Sequence, residues 1–384
     1  MNWFPKNSKQ KRSFFIQLAL ALLLFFGVYL IVQNVSDNLA SVGIKLSFDF
    51  LSSEAGFDVN ESLISYSASD SYARVLLVGF LNTLELSLVC IIGSTVIGVL
   101  MGIIRAGQNW LGTRLALVYV EVLRNLPKLL ILLAVFIVMI NQLPTVREAW
   151  SFFDSIYISN RAFYYPKLIW NEGMIFILAG IFIWFIAAIF WKQFTKKIQN
   201  LTGKQLPIKW PILGALIIIV SAISFFLDIP YKFSTPVLQG FDFDGGSRLS
   251  VQFVALAFTL SIYHGGQITE LVRGGIQSVQ KGQLEAAASL GLKPSQVTQF
   301  VVLPQALRMI IPPMGNQYLN LIKNTSVALA IGYSDLVSVM STSINQTFRP
   351  IELMFITMMT YLAISLLVTA LLNWFNHRTK IVTN

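Results

Sequence analysis

The chain contains several apolar runs that are each about as long as a bilayer is thick. A transmembrane helix needs about 20 consecutive, mostly apolar residues, and such runs recur along the 384 residues. Of all residues 55% are hydrophobic and 12% are charged, and a soluble domain carries about twice that charged fraction. The predicted fold class is all-α, a polytopic membrane helix bundle with about eight transmembrane helices.

Charge placement decides the predicted topology. The acidic loop 33–73 is assigned to the outer side, and the lysine-rich loop 192–209 to the cytoplasm, because basic loops stay inside. Residues 14–32 form a long run without a small-residue cleavage site, so they are expected to be a retained span. Both termini are predicted to be cytoplasmic. The spans predicted are 14–32, 75–104, 115–140, 173–191, 211–227, 251–267, 309–331 and 353–375.

Other readings of the composition are excluded by the same patterns. The net charge is +10, but no Lys/Arg run interleaved with aromatics forms a nucleic-acid patch, so no nucleic-acid partner is expected. The single cysteine, Cys90, lies inside an apolar run and excludes an intrachain disulfide or a cysteine metal cluster. We therefore predict no metal site.

One polar stretch, residues 282–304, interrupts the apolar pattern, and we call it the elbow. Its first half, residues 283–290, is rich in strong helix formers. Gly291 suits the left-handed position that ends a helix, and Pro294 suits the first turn of a second helix. The pattern predicts two short helices with a tight corner on the membrane surface. A plain interfacial connector is the alternative interpretation.

The spacing within the elbow resembles the cytoplasmic signature loop of ABC-importer permeases. It reads Glu285-Ala286-Ala287, three residues, Gly291, nine residues, Val301, one residue and Leu303-Pro304. The family usually has Ile in place of Val301. Stretches similar to the polar amino-acid (histidine–glutamine) branch, and to the long permease of general L-amino-acid importers, are 79–84, 121–127, 270–276, 281–283, 303–308 and 323–326.

This resemblance implies an architecture and a set of partners. The five-helix core of a type I importer permease would occupy residues 73–140 and 250–376 of a permease domain 73–376. Inserted helices would lie in about 141–249, and residues 1–72 would form an anchor and the acidic outer loop. The implied partners are an ABC ATPase subunit, a second permease subunit (a related chain or this one), an extracytoplasmic solute-binding protein, membrane lipid and an amino-acid substrate, in a bacterial inner membrane.

The resemblance also implies how the elbow acts. Its first helix would dock on the ATPase and move as a lever. The chain holds no G-x-x-x-x-G-K-[ST] motif, so ATP hydrolysis is expected on the partner, and neither an enzymatic role nor a cofactor is expected here. The residues assigned to this coupling are Gly282, Glu285, Ala286, Ala287, Gly291, Leu303 and Pro304.

Ionisable groups at membrane depth are candidates for the translocation pathway, because an unpaired charge there is costly. Lys128 or Lys323 could neutralise a substrate carboxylate or an internal acid such as Glu85. The candidate pathway residues are Glu85, Lys128, Asn320, Lys323 and Asn324. Structural pairing is an equal alternative for Glu85.

Three further interpretations concern polar residues of the same spans. Glu121, Arg124 and Lys128 are spaced as one helix face, and the first two are expected to pair. His264 is expected to be a packed, hydrogen-bonded side chain. Lys128 and the 264–267 stretch both depart from the family's usual residues, which leaves substrate identity open.

Two other classes of protein were weighed against an importer subunit. A secondary amino-acid transporter driven by ion gradients would favour inverted repeats and broken helices, and the sequence shows neither. An intramembrane enzyme needs paired catalytic groups, yet no span contains an Asp pair and His264 and His377 are the only histidines. No catalytic residue is assigned.

Overall fold

The computed structural model describes residues 8–41, 46–203, 209–226 and 231–379. Most of them are helical, which confirms the predicted helical membrane fold. The α-helices in these ranges are Ser8–Ser41 (α1), Tyr72–Ala106 (α2), Trp110–Asn125 (α3), Lys128–Gln142 (α4), Met174–Thr202 (α5), Lys209–Phe226 (α6), Val251–Gln277 (α7), Lys281–Ser289 (α8), Pro294–Val297 (α9), Leu303–Asn324 (α10), Leu336–Thr347 (α11) and Pro350–Thr379 (α12). Parts of the predicted lysine-rich loop (204–208) and both chain termini lie outside the described residues.

Eight short strands, which the sequence analysis did not predict, accompany these helices in the described ranges. They are Trp150–Phe152 (β1), Ile156–Ile158 (β2), Ala162–Tyr165 (β3), Lys167–Leu168 (β4), Phe233–Ser234 (β5), Val237–Gln239 (β6), Asp242–Asp244 (β7) and Ser247–Ser250 (β8). The antiparallel sheets are ordered β1-β2-β3-β8, β4-β5 and β6-β7. Strand β3 meets β8 with Ala162 opposite Ser250, so two segments far apart in sequence close one sheet.

The contacts divide the chain into two compact units. Met1–Ile131 and Leu256–Asn384 form one unit, and Leu132–Ala255 forms the other, which contains all the described strands. The predicted division into an N-terminal anchor and a permease domain with inserted helices stays a prediction.

Four helical segments of the described chain are long and apolar enough to cross a membrane: Arg12–Val35, Tyr72–Ala106, Met174–Thr202 and Pro350–Trp374. Two bent helix pairs raise the number of candidate spans to as many as six. The fifth predicted span is the shorter apolar helix Pro211–Phe226. The predicted count of eight is therefore not confirmed.

The third predicted span is broken. Helix α3 ends at Asn125 and α4 starts at Lys128, with a bend of 104° between them. Pro127 explains the break, because a proline disfavours the helical conformation of the residue before it. Leu126 is accordingly extended, with φ −98° and ψ 134°. The expectation that the sequence has no broken helix was wrong, and Lys128 does not share a helix face with Glu121.

Helices α2 and α7 approach closely through small residues. A Cβ built at Gly98 would lie 2.5 Å from the Cβ of Ile268, and one at Gly102 would lie 2.5 Å from that of Val272. Such close helix packing is typical of glycines in membrane proteins.

An ion-paired cluster joins the ends of the same two helices. Arg105 of α2 pairs with Glu270 of α7, and Glu270 also pairs with Arg273 at 3.0 Å. The predicted Glu121–Arg124 pair is not among the ion pairs of the described residues. The side chains of Glu121 and Arg124 are both exposed. Glu270 of α7 is therefore the partner of both Arg105 and Arg273.

The acidic segment before α2 is folded onto the helices. Ala55 is buried in a cluster with Tyr72 and Val75 of α2 and with Leu336 and Leu353. Asn82 fixes the same region, since its side-chain amide donates to the carbonyl oxygens of Glu61 at 2.8 Å and Ser334 at 2.9 Å. The segment thus forms part of the packed structure.

In the second unit, Asp242 organises a small polar cluster. Tyr164 donates a hydrogen bond to it, and Arg161 and Arg248 lie 3.4 and 3.8 Å away. Burial acts to raise the pKa of Asp242, but the hydrogen bonds from Tyr164 and the Phe243 amide, together with the two arginines, lower it below its ordinary value. The carboxylate therefore stabilises this unit in its charged form.

Candidate functional site

The first arm of the elbow is formed as predicted. Helix α8 ends at Ser289, and Gly291 has φ +75°, in the left-handed region that glycine adopts without strain. The Gly291 amide donates to Ala288 at 2.9 Å, and the Leu292 amide donates to Ala287 at 3.3 Å. These two bonds make a Schellman motif, which satisfies the last carbonyls of the helix and turns the chain.

One side of this arm is available to a partner. The side chains of Glu285 and Ala286 are exposed, and Leu290 is 81% exposed at the corner. Ala287 is only 4% exposed, so it packs within the chain and does not belong to the exposed face. Gly282 has open space around a built Cβ.

The second arm is longer than predicted. Pro294 begins α9, as expected, but α9 leads through a π-helical turn, Thr298–Val302, into α10. The Leu303 amide donates to the carbonyl of Thr298, five residues back. Pro304 follows directly, and it has no N–H to continue a regular helical ladder. The widened turn therefore accommodates the proline. The second arm continues into the first turns of α10, which we call the stem, and is not a separate short helix.

Helix α10 continues past two prolines without ending. Pro312 and Pro313 both lie inside it. Ala306 and Ile310 pack with Ile268 and Val272 of α7 in one buried cluster. The contact is close, because a Cβ built at Gly275 of α7 would lie 2.3 Å from Cγ1 of Ile310. The stem that leaves the elbow is thus packed directly against α7.

At the far end of α10, a cavity of about 560 Å³ brings together four of the predicted pathway residues. We call it the lysine cavity. Its lining residues are Pro127, Lys128, Leu129, Tyr263, Gln267, Asn320, Lys323 and Asn324. Glu85 is half-buried in α2 and does not line it. Sequence reasoning did not assign Pro127, Leu129, Tyr263 or Gln267 to the pathway, although Gln267 lies in a stretch noted as unusual.

Lys128 is held at the edge of this cavity by a short polar chain. Its ammonium donates a hydrogen bond to the side-chain oxygen of Asn324. The amide nitrogen of Asn324 lies 3.3 Å from Nε2 of His264, which is 1% exposed. The prediction that His264 is packed and hydrogen-bonded is confirmed. The unusual residues at 128 and 264, far apart in sequence, meet through Asn324.

The break in the third span adds a second source of positive potential. Helix α4 begins at Lys128, and its first bond of the α-helical type runs from the Ile131 amide to the Pro127 carbonyl at 3.3 Å. The first amides of a helix lack intrahelical acceptors, and the helix dipole places partial positive charge at this end. Backbone and side chain therefore favour an anion at the same rim.

Residues 94–381 match the family described as binding-protein-dependent transport system inner membrane component. The chain belongs to this family. General L-amino acid transport system permease protein AapQ of Rhizobium johnstonii is 41% identical to this inner membrane component, over 97% of this chain and 93% of its own. Glutamate/glutamine/aspartate/asparagine transport system permease protein BztB of Rhodobacter capsulatus is 35% identical, over 96% of this chain and 94% of its own. The resemblance seen in the elbow is thereby confirmed across nearly the whole chain.

Proposed function

We propose that this inner membrane component is the membrane-spanning subunit of an ATP-driven importer that carries amino acids. Family membership supports the transport role, and the names of the two relatives, both amino-acid permeases, support amino acids as cargo. ATP hydrolysis occurs on a separate ATPase subunit that docks on the elbow. A second permease subunit completes the pathway, and a solute-binding protein delivers cargo to the outer side of a bacterial inner membrane. Both chain termini lie in the cytoplasm.

The observation that carries this proposal is the continuity between the elbow and the lysine cavity. The exposed face of α8 leads through the Schellman corner and the π-helical turn into α10. Helix α10 has 22 residues, which corresponds to about 33 Å at 1.5 Å per residue. Its last turns carry Asn320, Lys323 and Asn324 at the cavity. Movement of the docked arm would therefore be transmitted along α10 to the lysine cavity.

Glu285 supplies the charge for docking. Its carboxylate is exposed next to Ala286, whose small side chain permits close approach of a groove. A basic residue of the ATPase would pair with this carboxylate. Gly291 and the corner behind it keep the docked arm at a fixed angle to α10.

The experiment is uptake of labelled amino acids into proteoliposomes that contain the full complex. Glu285→Lys is expected to abolish ATP-dependent uptake while membrane insertion and thermal stability stay as in the wild type, because the charge at the docking face is reversed. Glu172→Lys is the matched control, since Glu172 is exposed and lies in the other unit. Undiminished uptake by Glu285→Lys would contradict the docking role. Uptake by the wild type without any ATPase would instead favour a transporter driven by an ion gradient.

A further inference from the structure

We infer that the lysine cavity selects amino acids with an acidic side chain over those with a cationic side chain. This inference rests on the proposed function, because it assigns the cargo of that importer. The reasons are the charge of the lining, the fixed position of Lys128, and the placement of Lys323 across the same cavity.

The charge of the lining is one-sided. Among the described residues that line the cavity, two are lysines and none has a carboxylate side chain. The neutral residues Tyr263, Gln267 and Asn320 offer hydroxyl and amide oxygens, which suffice to accept hydrogen bonds from one α-ammonium group. Lysine or arginine would bring a second cation with no acid to receive it, next to two like charges. Glutamate or aspartate would bring two carboxylates for two ammonium groups.

Lys128 is placed to bind the group that all amino acids share. Asn324 accepts one of its three N–H bonds, and the buried His264 holds Asn324 in turn. Two N–H bonds of the ammonium remain for a ligand, and Lys128 and Leu129, the first two residues of α4, both line the cavity. A preorganised donor set loses little entropy on binding, so this end is suited to the α-carboxylate.

Lys323 is placed to distinguish side chains. It follows Asn320 by three residues on α10, on the same face, and its side chain is exposed at the cavity. A volume of about 560 Å³ is within the usual range for small-molecule sites, so the cavity that both lysines line has room for one amino acid. A side-chain carboxylate would form an ion pair with Lys323, whereas a side-chain amide would accept a hydrogen bond from the ammonium without the attraction between opposite charges.

The test measures binding of labelled L-glutamate, L-glutamine and L-arginine to the full complex in nanodiscs, without the solute-binding protein and without ATP. We expect the wild type to bind glutamate at least about tenfold more tightly than arginine, as one charge-assisted contact implies. Lys323→Gln should weaken glutamate binding by about tenfold and leave glutamine binding unchanged. Lys128→Gln should weaken both by about tenfold or more, and the exposed surface variant Lys192→Gln should change neither.

Equal wild-type affinity for arginine and glutamate would overturn the inference, and so would wild-type glutamate binding by Lys128→Gln. If Lys128→Gln does not yield a folded complex, Lys323→Gln decides by itself through the ratio of glutamate to glutamine affinity. A fall in that ratio supports the inference, and an unchanged ratio contradicts it. Because no ATP is present, failure of the coupling mechanism leaves these affinities intact, so a failure of this inference can be distinguished from a failure of the proposed function.

Discussion

A single methyl group at position 275 is expected to disturb the contact between the stem of the elbow and α7. A Cβ built on Gly275 would lie 2.3 Å from Cγ1 and 2.9 Å from Cδ1 of Ile310, and 3.2 Å from the carbonyl oxygen of Ala306. Non-bonded carbons are usually about 3.5–4.0 Å apart. The two helices must therefore separate by about 1 Å, or Ile310 must leave its position.

The adjacent glycine provides the matched control. Gly274 is exposed, and a Cβ built on it meets nothing within 4 Å. Exchange of glycine for alanine in a helix interior is worth about 1 kcal/mol in favour of alanine. Overpacking of a close contact costs about 1–3 kcal/mol. We expect Gly274→Ala to be more stable than wild type and Gly275→Ala to be less stable than Gly274→Ala by about 1–3 kcal/mol.

The assay is thermal unfolding of both variants in the same nanodiscs, followed by ATP-driven uptake at a temperature where both are folded. Gly275→Ala should also take up less amino acid per ATP hydrolysed than Gly274→Ala, because the stem no longer moves together with α7. Equal stability and equal coupling of the two variants would contradict the close packing of α10 on α7 and its part in coupling.

Two smaller changes test other parts of the structure. Gly291→Ala should destabilise the corner by about 1 kcal/mol, because φ is +75° there while the surrounding space is open, and Gly291→Asn should recover part of that stability. Hydrogen exchange of the α8 amides measures both effects. Equal exchange in the wild type and both variants would count against the Schellman corner. Asp242→Asn should lower stability at pH 7 by about 1 kcal/mol. The pKa of Asp242 is lowered in the folded protein. Its contribution to stability is therefore present above the pKa of the unfolded chain, about 3.9, and is lost as the pH falls through the folded pKa. Thermal unfolding at pH 7 and pH 3 checks it, and an equal deficit at both would contradict it.

Local chemistry made the elbow predictable. Gly291 tolerates the left-handed conformation that ends a helix and Pro294 fits the first turn of one, and the structure places both residues at those positions. The continuity of the second arm was not predicted, because Pro304 was taken as the end of the elbow. The π-helical turn that accommodates this proline depends on a non-standard bonding pattern that residue propensities do not signal.

The break in the third span was visible in principle. Apolar length alone suggested one straight helix, whereas Pro127 and the restriction it places on Leu126 predict a boundary. The strands had no comparable signal. Tyr157 and Tyr164 lie in strands β2 and β3, which pair with each other, and β3 also pairs with β8 at Ser247–Ser250. Pairing over such a distance cannot be read from local alternation.

The lysine cavity was predicted only in part. The shared face of Asn320, Lys323 and Asn324 follows from helical spacing, and the structure places all three at one cavity. Periodicity cannot tell which other helix meets that face. The contacts of Asn324 with Lys128 and His264 therefore required the tertiary structure, as did the finding that Glu85 lies elsewhere.

The most direct test of the central claim, that the elbow is a cytoplasmic docking site for an ATPase, uses a cysteine at position 290. Cys90, the only native cysteine, is fully buried, whereas Leu290 is 81% exposed at the corner. In vesicles of known orientation, Leu290→Cys should react with a membrane-impermeant maleimide from the cytoplasmic face alone, and binding of the ATPase should block the reaction. Labelling from the outer face, or labelling that the ATPase leaves unchanged, would contradict the account.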